Sequence, residues 1–473
     1  MNLTLQDIIE TTQGRFLKKA ACHSRESGNL EGISIDSRTI KPSDLFMAIK
    51  GAHFDGNDFI AAVINKGVKA VVIDRELGAD QLANIAENVS VIKVNEGTTA
   101  LGDLAKWWRA KFKATCVAIT GSNGKTTTRE MVAAIASAKG KVLKTEGNFN
   151  NLIGLPLTVF KWTREDQVAV LELGMNAKGE IKRLTEICQP DIGVVTNVTA
   201  AHLEKLNTVE GVAKAKAELF EQMSGQGIAI INDEDPWVKK MGKQYSGRTI
   251  SFGMQNSSDV QFRHSECTDF ENVDLTLAVM GEERKIRLPI PGTHNVMNAL
   301  AAVAVGVALE IKLDEILERL VCFTPVAMRF ERVQLANGVC LINDSYNANP
   351  LSMKAAFRTV SSVKRAGRFI AVLGDMLELG AQSENLHKEV GQDLVEFGVK
   401  KLFTFGERAK QIAQGALEKG LSAKAIQQTQ DIKELEKLVD AEIQPGDVLL
   451  VKGSRGMHLE RLVEYLKHNI GIG

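Results

Sequence analysis

The stretch Thr120-Gly-Ser-Asn-Gly-Lys-Thr-Thr-Thr128 carries the residue types that hold a nucleoside triphosphate. Gly121 and Gly124 let backbone N–H groups curl around phosphate oxygens, because glycine takes the backbone angles such a curl needs. Ser122 and Asn123 lie between them. The Lys125 ammonium can face the β- and γ-phosphates, the Thr126 hydroxyl can ligate Mg²⁺, and Thr127 continues into the helix. One position departs from the common G-x-x-x-x-G-K-[ST] pattern: Ile119 stands where the first glycine would fall.

Three later segments hold groups suited to such a loop. Glu172 ends the apolar run Val168-Ala-Val-Leu-Glu-Leu-Gly174, and α/β sheets place ligands at the carboxyl ends of parallel strands. It reads as a Mg²⁺ ligand. His202, in Asn197-Val-Thr-Ala-Ala-His-Leu-Glu204, follows another strand and reads as a metal or phosphate contact. Lys214 and Lys216 lie two apart on one helix, so they face different sides.

The elements that must position these groups alternate between strand and helix. A buried strand, Thr115-Cys-Val-Ala-Ile-Thr120, runs into the glycine turn, and a helix over 126–138 leaves it. Strands at 168–173, 192–197 and 227–231 alternate with helices at 179–187 and 209–220, which argues a parallel sheet covered on both faces. Residues 249–288 read as an antiparallel extension, and a helix over 295–309 closes this block. A third block alternates likewise: strands at 339–343, 368–373, 401–405 and 448–452, helices at 352–360, 383–396 and 457–467, a second doubly wound unit. The first block has helices at 5–12 and 98–112, strands at 32–35, 45–48 and 70–73, and a polar, turn-rich stretch over 23–32 read as an exposed loop. The expected fold is α/β with three domains: 1–113, a central P-loop parallel-sheet ATPase domain over 114–324, and a C-terminal Rossmann-like doubly wound domain over 325–473.

Bulk properties narrow the class further. Lys plus Arg and Asp plus Glu are both 58 of 473 residues, and this balance argues against a nucleic-acid partner. Six cysteines without C-x-x-C spacing argue against a zinc site or a disulfide framework and for reduced thiols. The N-terminus lacks a basic region followed by an apolar run, and no stretch reaches about 18 apolar residues, so neither a signal peptide nor membrane insertion is expected. These features predict a cytoplasmic protein, and without a heptad pattern a monomer.

The shortened loop T-G-x-x-G-K-T resembles the ATP loop of the Mur ligase superfamily, and the match extends over nearly the whole chain. Ile35-Asp-Ser-Arg-Thr-Ile-Lys-Pro, with Asp55-Gly56, resembles the family's UDP-sugar-binding domain, which implies contacts from Ser37 and Arg38 to a UDP-muramoyl substrate. Pro291-Gly-Thr-His-Asn-Val-Met-Asn-Ala resembles the segment near the adenine, which implies His294, Asn295 and Asn298 there. Arg329 resembles the arginine that opens the third domain, although Met328 replaces the usual preceding glycine. Asp344 would bind the ribose, and Lys452-Gly-Ser-Arg455 closes the third domain in the family manner. In several members the lysine of a K-x-x-[LI]-F segment is carbamylated and helps hold a second Mg²⁺; Lys216 fits that spacing. Gly147-Asn-Phe-Asn-Asn-Leu-Ile-Gly-Leu-Pro156, Asp344-Ser-Tyr-Asn-Ala-Asn-Pro350 and Gly374-Asp-Met-Leu-Glu-Leu-Gly380 resemble the branch that joins D-alanyl-D-alanine to UDP-N-acetylmuramoyl-tripeptide. That branch implies substrate contacts from Asn148, Asn150, Asn151, Tyr346, Asn347 and Asn349.

The resemblance implies an ATP-dependent amide ligase for peptidoglycan synthesis. A substrate carboxylate attacks the γ-phosphate of ATP, so two anions must be brought together. Mg²⁺ and Lys125 offset that repulsion. The acyl phosphate is then attacked by an amine with water kept out. Lys125, Glu172, His202 and Lys216 are the expected catalytic groups, with Thr126, Glu172, His202 and carbamylated Lys216 around the metal. The competing readings are another superfamily ligase, either the tripeptide-forming one or a folylpolyglutamate synthase, and a P-loop switch protein whose nucleotide only signals.

Overall fold

The computed structural model describes residues 1–20, 30–51, 54–267 and 269–473, which form two compact units. Cys22 and most of the turn-rich stretch 23–32 lie outside the described residues.

The first unit comprises Met1–Ala118, Gly140–Met175 and Glu180–Asp191. Five strands lie in the order Arg15–Lys18, Ser90–Lys93, Ala70–Ile73, Asp44–Met47, Gly32–Ser34, with neighbours parallel except for the first pair. Strand side chains alternate between faces, and both faces here are covered. Leu45, Met47, Ala70 and Val72 pack to one side with Leu101 and Leu104; Phe46, Val71, Ile73 and Val91 pack to the other with Val63. The helix expected at 98–112 is Gly97–Arg109, begun by the Glu96 carboxylate, which accepts the Thr98 and Thr99 N–H groups. A further parallel pair, Lys141–Lys144 with Asp166–Glu172, carries Glu172. The strand Arg15–Lys18 is too short and basic to be read as a strand from its residues alone.

The second unit comprises Ile119–Lys139, Asn176–Gly179 and Ile192–Gly473. Strands Ile192–Val195, Ile228–Asn232, Arg248–Gly253 and Val260–Glu266 are parallel in that order. Val273–Val279 and Glu282–Leu288 continue antiparallel. The extension over 249–288 is therefore antiparallel only from Val260 onward. Helix Thr293–Ala308 is buried over most of its surface, which explains its nearly unbroken apolar sequence. The amphipathic helix Leu313–Val321 was not anticipated.

A second sheet in this unit has the order Glu331–Gln334, Cys340–Asp344, Val448–Lys452, Phe369–Gly374, Lys401–Phe405, Ile426–Thr429, all parallel except the first pair. Ile342, Ala371, Leu373 and Leu450 face one layer of helices, while Leu341, Ile370, Val372 and Leu449 face the other. This is the doubly wound unit the sequence predicts. The helices Lys410–Glu418 and Ile432–Glu442, and the strand Ile426–Thr429 between them, were missed because their apolar positions are few. No helix among the described residues is long and apolar enough to cross a membrane.

Candidate active site

The strand Thr115–Thr120 delivers the chain to the glycine turn, and the helix Lys125–Ala136 carries it away. Gly121 has φ 149° and Gly124 has φ 81°, both in the region that favours glycine. A Cβ at Gly121 would lie 1.8 Å from Thr196 Oγ1, and one at Gly124 would lie 2.2 Å from Asn298 Oδ1. Glycine is therefore required twice over, by backbone angle and by space.

Residues 196–199 fasten the turn. Ser122 N–H donates to Asn197 O at 3.0 Å, Asn123 N–H donates to Asn197 Oδ1 at 2.9 Å, and Thr196 Oγ1 donates to Asn123 O at 2.6 Å. Asn298 lies beneath it, accepting from Thr128 Oγ1 at 3.4 Å and donating to Asn295 Oδ1 at 3.2 Å. Asn295 in turn donates to Pro291 O at 2.7 Å. Asn298 thus lies against the phosphate turn at Gly124, with Asn295 beside it. Lys125 Nζ donates to Gly121 O at 2.8 Å, and Arg329 Nη2 donates to Thr126 Oγ1 at 3.0 Å. Thr127 is buried on the helix. The turn also sits at a helix N-terminus, whose dipole favours anions. Two obligatory glycines, a lysine and a hydroxyl at a helix start fit a triphosphate.

Lys216 is buried on the helix Val209–Gln222, whereas Lys214 is exposed and pairs with Glu210 at 2.8 Å, so the two do face apart. Burial, helped by the charge of Lys125, pushes the Lys216 amine well below its ordinary range. His202 takes a left-handed backbone, φ 55°, and its Nδ1 lies 2.6 Å from Glu378 Oε2. That contact has ion-pair distance but not the angle of a hydrogen bond.

The start of the C-terminal sheet reaches the same turn. Tyr346 stacks under the Arg329 guanidinium at 3.9 Å. Asn349 caps the helix Pro350–Ser362 and donates through Nδ2 to Asn123 Oδ1 at 2.6 Å. Its side chain thus serves both as the turn former its type suggests and as a bridge to the phosphate loop. Lys452 Nζ donates to Asp344 Oδ2 at 2.6 Å and to Asn347 O at 3.0 Å. His294 keeps some surface, yet burial pushes its imidazole down to about 4. Met328 has φ 59°, so the position where the family carries glycine does need a left-handed backbone.

The remaining expected residues lie in the first unit. Glu172 is buried, with Oε1 accepting from Asn150 Nδ2 at 2.8 Å and its own N–H donating to Thr145 Oγ1 at 3.0 Å. Asn151 Oδ1 accepts from Gly154 N–H at 2.8 Å, which begins the helix Gly154–Val159, while Asn148 is exposed. Ser37 and Arg38 form an exposed turn in which Arg38 grips Asp36 at 2.7 Å and holds that carboxyl at about 2. Sequence reading missed Thr196 and Asn197 as loop supports and Glu378 as a neighbour of His202. The only local hint was their position just after strands.

Comparison with known proteins accords with this geometry. The family models match in chain order: the Mur ligase catalytic domain over residues 29–109, the Mur ligase middle domain over 119–306, and the Mur ligase glutamate ligase domain over 328–455. The UDP-N-acetylmuramoyl-tripeptide--D-alanyl-D-alanine ligase of Bacillus subtilis is 37% identical, covering 98% of each chain. That of Escherichia coli is 36% identical over 93% of this chain and 94% of its own. The crystal structure of MurF from Acinetobacter baumannii superposes with a TM-score of 0.89 at 31% identity, covering 99% of each chain. MurF from Thermotoga maritima, solved with ADP, gives 0.83 at 27% identity, over 93% of this chain and 98% of that one. A folylpolyglutamate synthase from Mycobacterium tuberculosis, at 17% identity and a TM-score of 0.63, shares the fold alone. With three family domains in order and full-length relatives of one name, this chain belongs to the Mur ligase family and has its three-domain α/β fold.

Proposed function

We propose that the protein joins D-alanyl-D-alanine to UDP-N-acetylmuramoyl-tripeptide at the expense of ATP, through an acyl phosphate, in peptidoglycan synthesis. The observation that carries the nucleotide half of this reading is the turn in which Gly121 and Gly124 admit no side chain while Lys125 and Thr126 open the helix. The amine and the acid are those named for the full-length relatives.

On this reading residues 1–113 hold the UDP-muramoyl end through Ser37 and Arg38, 114–324 hold ATP, and 325–473 bring the dipeptide and close over the nucleotide with Arg329 and Asp344. Lys125 turns from Gly121 O to the γ-phosphate, and Arg329 leaves the Thr126 hydroxyl for the phosphate chain. Mg²⁺, held by Thr126, Glu172 and His202, would supply charge neutralisation for the transferring phosphoryl group. Mg²⁺ usually takes few protein ligands and completes its shell with water and phosphate oxygens, which suits so small a donor set. Lys216 is the carbamylation site on this reading: burial lowers the proton affinity of its amine, which favours the neutral form that reacts with CO₂. Asn150 orients Glu172, while Asn148, Asn151, Tyr346, Asn347 and Asn349 line the acceptor side. The enzyme works as a cytoplasmic monomer, where ATP and UDP-linked substrates are made and where its cysteines stay reduced.

The test offers radiolabelled D-alanyl-D-alanine, diamino acids and glutamate separately, with ATP and UDP-N-acetylmuramoyl-peptides. Product with the dipeptide alone supports the assignment. Product with glutamate alone, or steady ATP hydrolysis independent of any amine, overturns it.

A further inference from the structure

The loop Gly374-Asp-Met-Leu-Glu-Leu-Gly380 leaves the carboxyl end of the strand Phe369–Gly374, and hydrogen bonds to distant segments hold its first half. Asp375 O accepts from Ser454 N–H at 3.0 Å, and Asp375 Oδ1 accepts from Ala409 N–H at 2.7 Å. Met376 N–H donates to His387 Nε2 at 2.9 Å, and Leu377 N–H donates to Ser454 Oγ at 2.9 Å. Gly380, φ 57°, comes so close to the chain at 204 that a Cβ would lie 3.2 Å from Glu204 Cα.

This support presents one side chain, Glu378. Its backbone is left-handed, φ 64°, and it faces His202, also left-handed at φ 55°. Two non-glycine residues meeting in this region is an uncommon and costly arrangement, of the sort kept at functional sites. The Glu378 side chain is 53% exposed, so the loop holds its carboxylate out rather than burying it. An exposed carboxylate is an anion at neutral pH, and this one meets His202, just beyond the segment 196–199 that fastens the phosphate turn.

A fixed anion there repels ATP unless the reaction brings a cation for it to meet. The reaction has two cations, Mg²⁺ and the ammonium of the amine. Mg²⁺ is assigned above to Thr126, Glu172 and His202, which leaves the ammonium as the cation without a partner. The Glu378 loop belongs to the sheet assigned above to the dipeptide. We propose that Glu378 receives the ammonium of the incoming dipeptide and sets its nitrogen beside the acyl phosphate held at Lys125; the ammonium gives one proton to the Glu378 carboxylate, and the freed amine forms the amide bond as phosphate leaves. This rests on the amide-ligase reading and adds to it the residue that recognises the amine. Reacting atoms must be brought to about 3 Å, and a carboxylate on a rigid loop beside the phosphate site can place the nitrogen with that accuracy.

The test compares the full-length protein with its Glu378→Gln and Glu378→Asp variants. Steady-state constants are measured for all three substrates, and hydroxylamine traps the acyl phosphate in the absence of dipeptide. With Glu378→Gln, KM for D-alanyl-D-alanine should rise about tenfold or more, as loss of a charge-assisted contact implies. KM for ATP should not rise, and the yield of trapped acyl phosphate should not fall. Glu378→Asp keeps the charge and should recover part of the loss. A dipeptide analogue with hydroxyl in place of the amine should inhibit wild type and Glu378→Gln equally. An unchanged dipeptide KM, or a loss of trapped acyl phosphate in Glu378→Gln, overturns the proposal. Failure of the wild type to yield acyl phosphate would instead overturn the ligase reading itself.

Discussion

Two loops leave the carboxyl ends of parallel strands, the phosphate turn at 120–126 and the loop at 374–380, and they are built by opposite means. In the first, conformation and chemistry come from the same few residues. Gly121 and Gly124 take angles and space that other side chains cannot share, and Lys125 and Thr126 follow directly. In the second, the residue that faces its partner is itself the strained one. Glu378 holds a left-handed backbone because Asp375, His387, Ala409 and Ser454 fix the loop around it. The first design is written locally, and the second is imposed by distant neighbours.

The difference is sharpest under substitution. Gly124→Ala should break the phosphate turn outright, because a methyl group meets Asn298 Oδ1 at 2.2 Å and φ is 81°. We expect at least about a 10²-fold loss of ligase turnover, since small displacements of reacting groups cost that much. Adding Asn298→Ala relieves the clash but not the angle, so it should restore only part of the activity. Full recovery would show that space alone demands glycine.

His387→Gln tests the borrowed support of the second loop. His387 Nδ1 lies 2.6 Å from Ser383 O, which places the proton there and leaves Nε2 to accept from Met376 N–H. A glutamine cannot donate to Ser383 O and accept from Met376 N–H in the geometry of the ring, so the change should destabilise the fold by about 1–3 kcal/mol in chemical denaturation. It should also raise KM for the dipeptide more than KM for ATP. Equal effects on both would mean that the two loops are not independent.

The same histidine gives the comparison a pH signature. Burial holds His387 below its ordinary 6.5, and it pushes His294 down to about 4. As pH falls below 6.5 the unfolded chain binds protons that the folded chain refuses, so stability is fully present above that value and is lost as acid is added. Melting temperature should therefore drop between about pH 7.5 and about pH 5, and His387→Gln should flatten that slope. An unchanged slope would place the effect elsewhere.

Asn349→Ala removes a helix cap and the bridge to Asn123, at a cost of about 1 kcal/mol in thermal unfolding. A several-fold rise in KM for ATP should accompany it if the bridge supports the turn. The smallest effect should come from Met328→Gly. Relief of φ 59° gains about 1 kcal/mol against some lost packing, so stability should stay level or rise slightly.

The amino-acid order by itself determined a good deal. Continuous apolar strands such as Ala70–Ile73 and Val448–Lys452 could only be buried on both faces, so they announced parallel sheets. The glycines of the phosphate turn, with Lys125 and Thr126, announced the nucleotide, because free backbone angles, an ammonium and a hydroxyl at that spacing together suit a triphosphate. What the tertiary structure decided is who meets whom. Arg329 on Thr126, Asn349 on Asn123 and Glu378 against His202 join residues between 176 and 226 positions apart. Short polar elements such as Ile426–Thr429 likewise exist only because a neighbouring strand supplies their hydrogen bonds. Local sequence fixes the angles at obligatory glycines and the burial of apolar runs, whereas a contact across the chain, and a strained angle such as that of Glu378, depends on how the whole core packs.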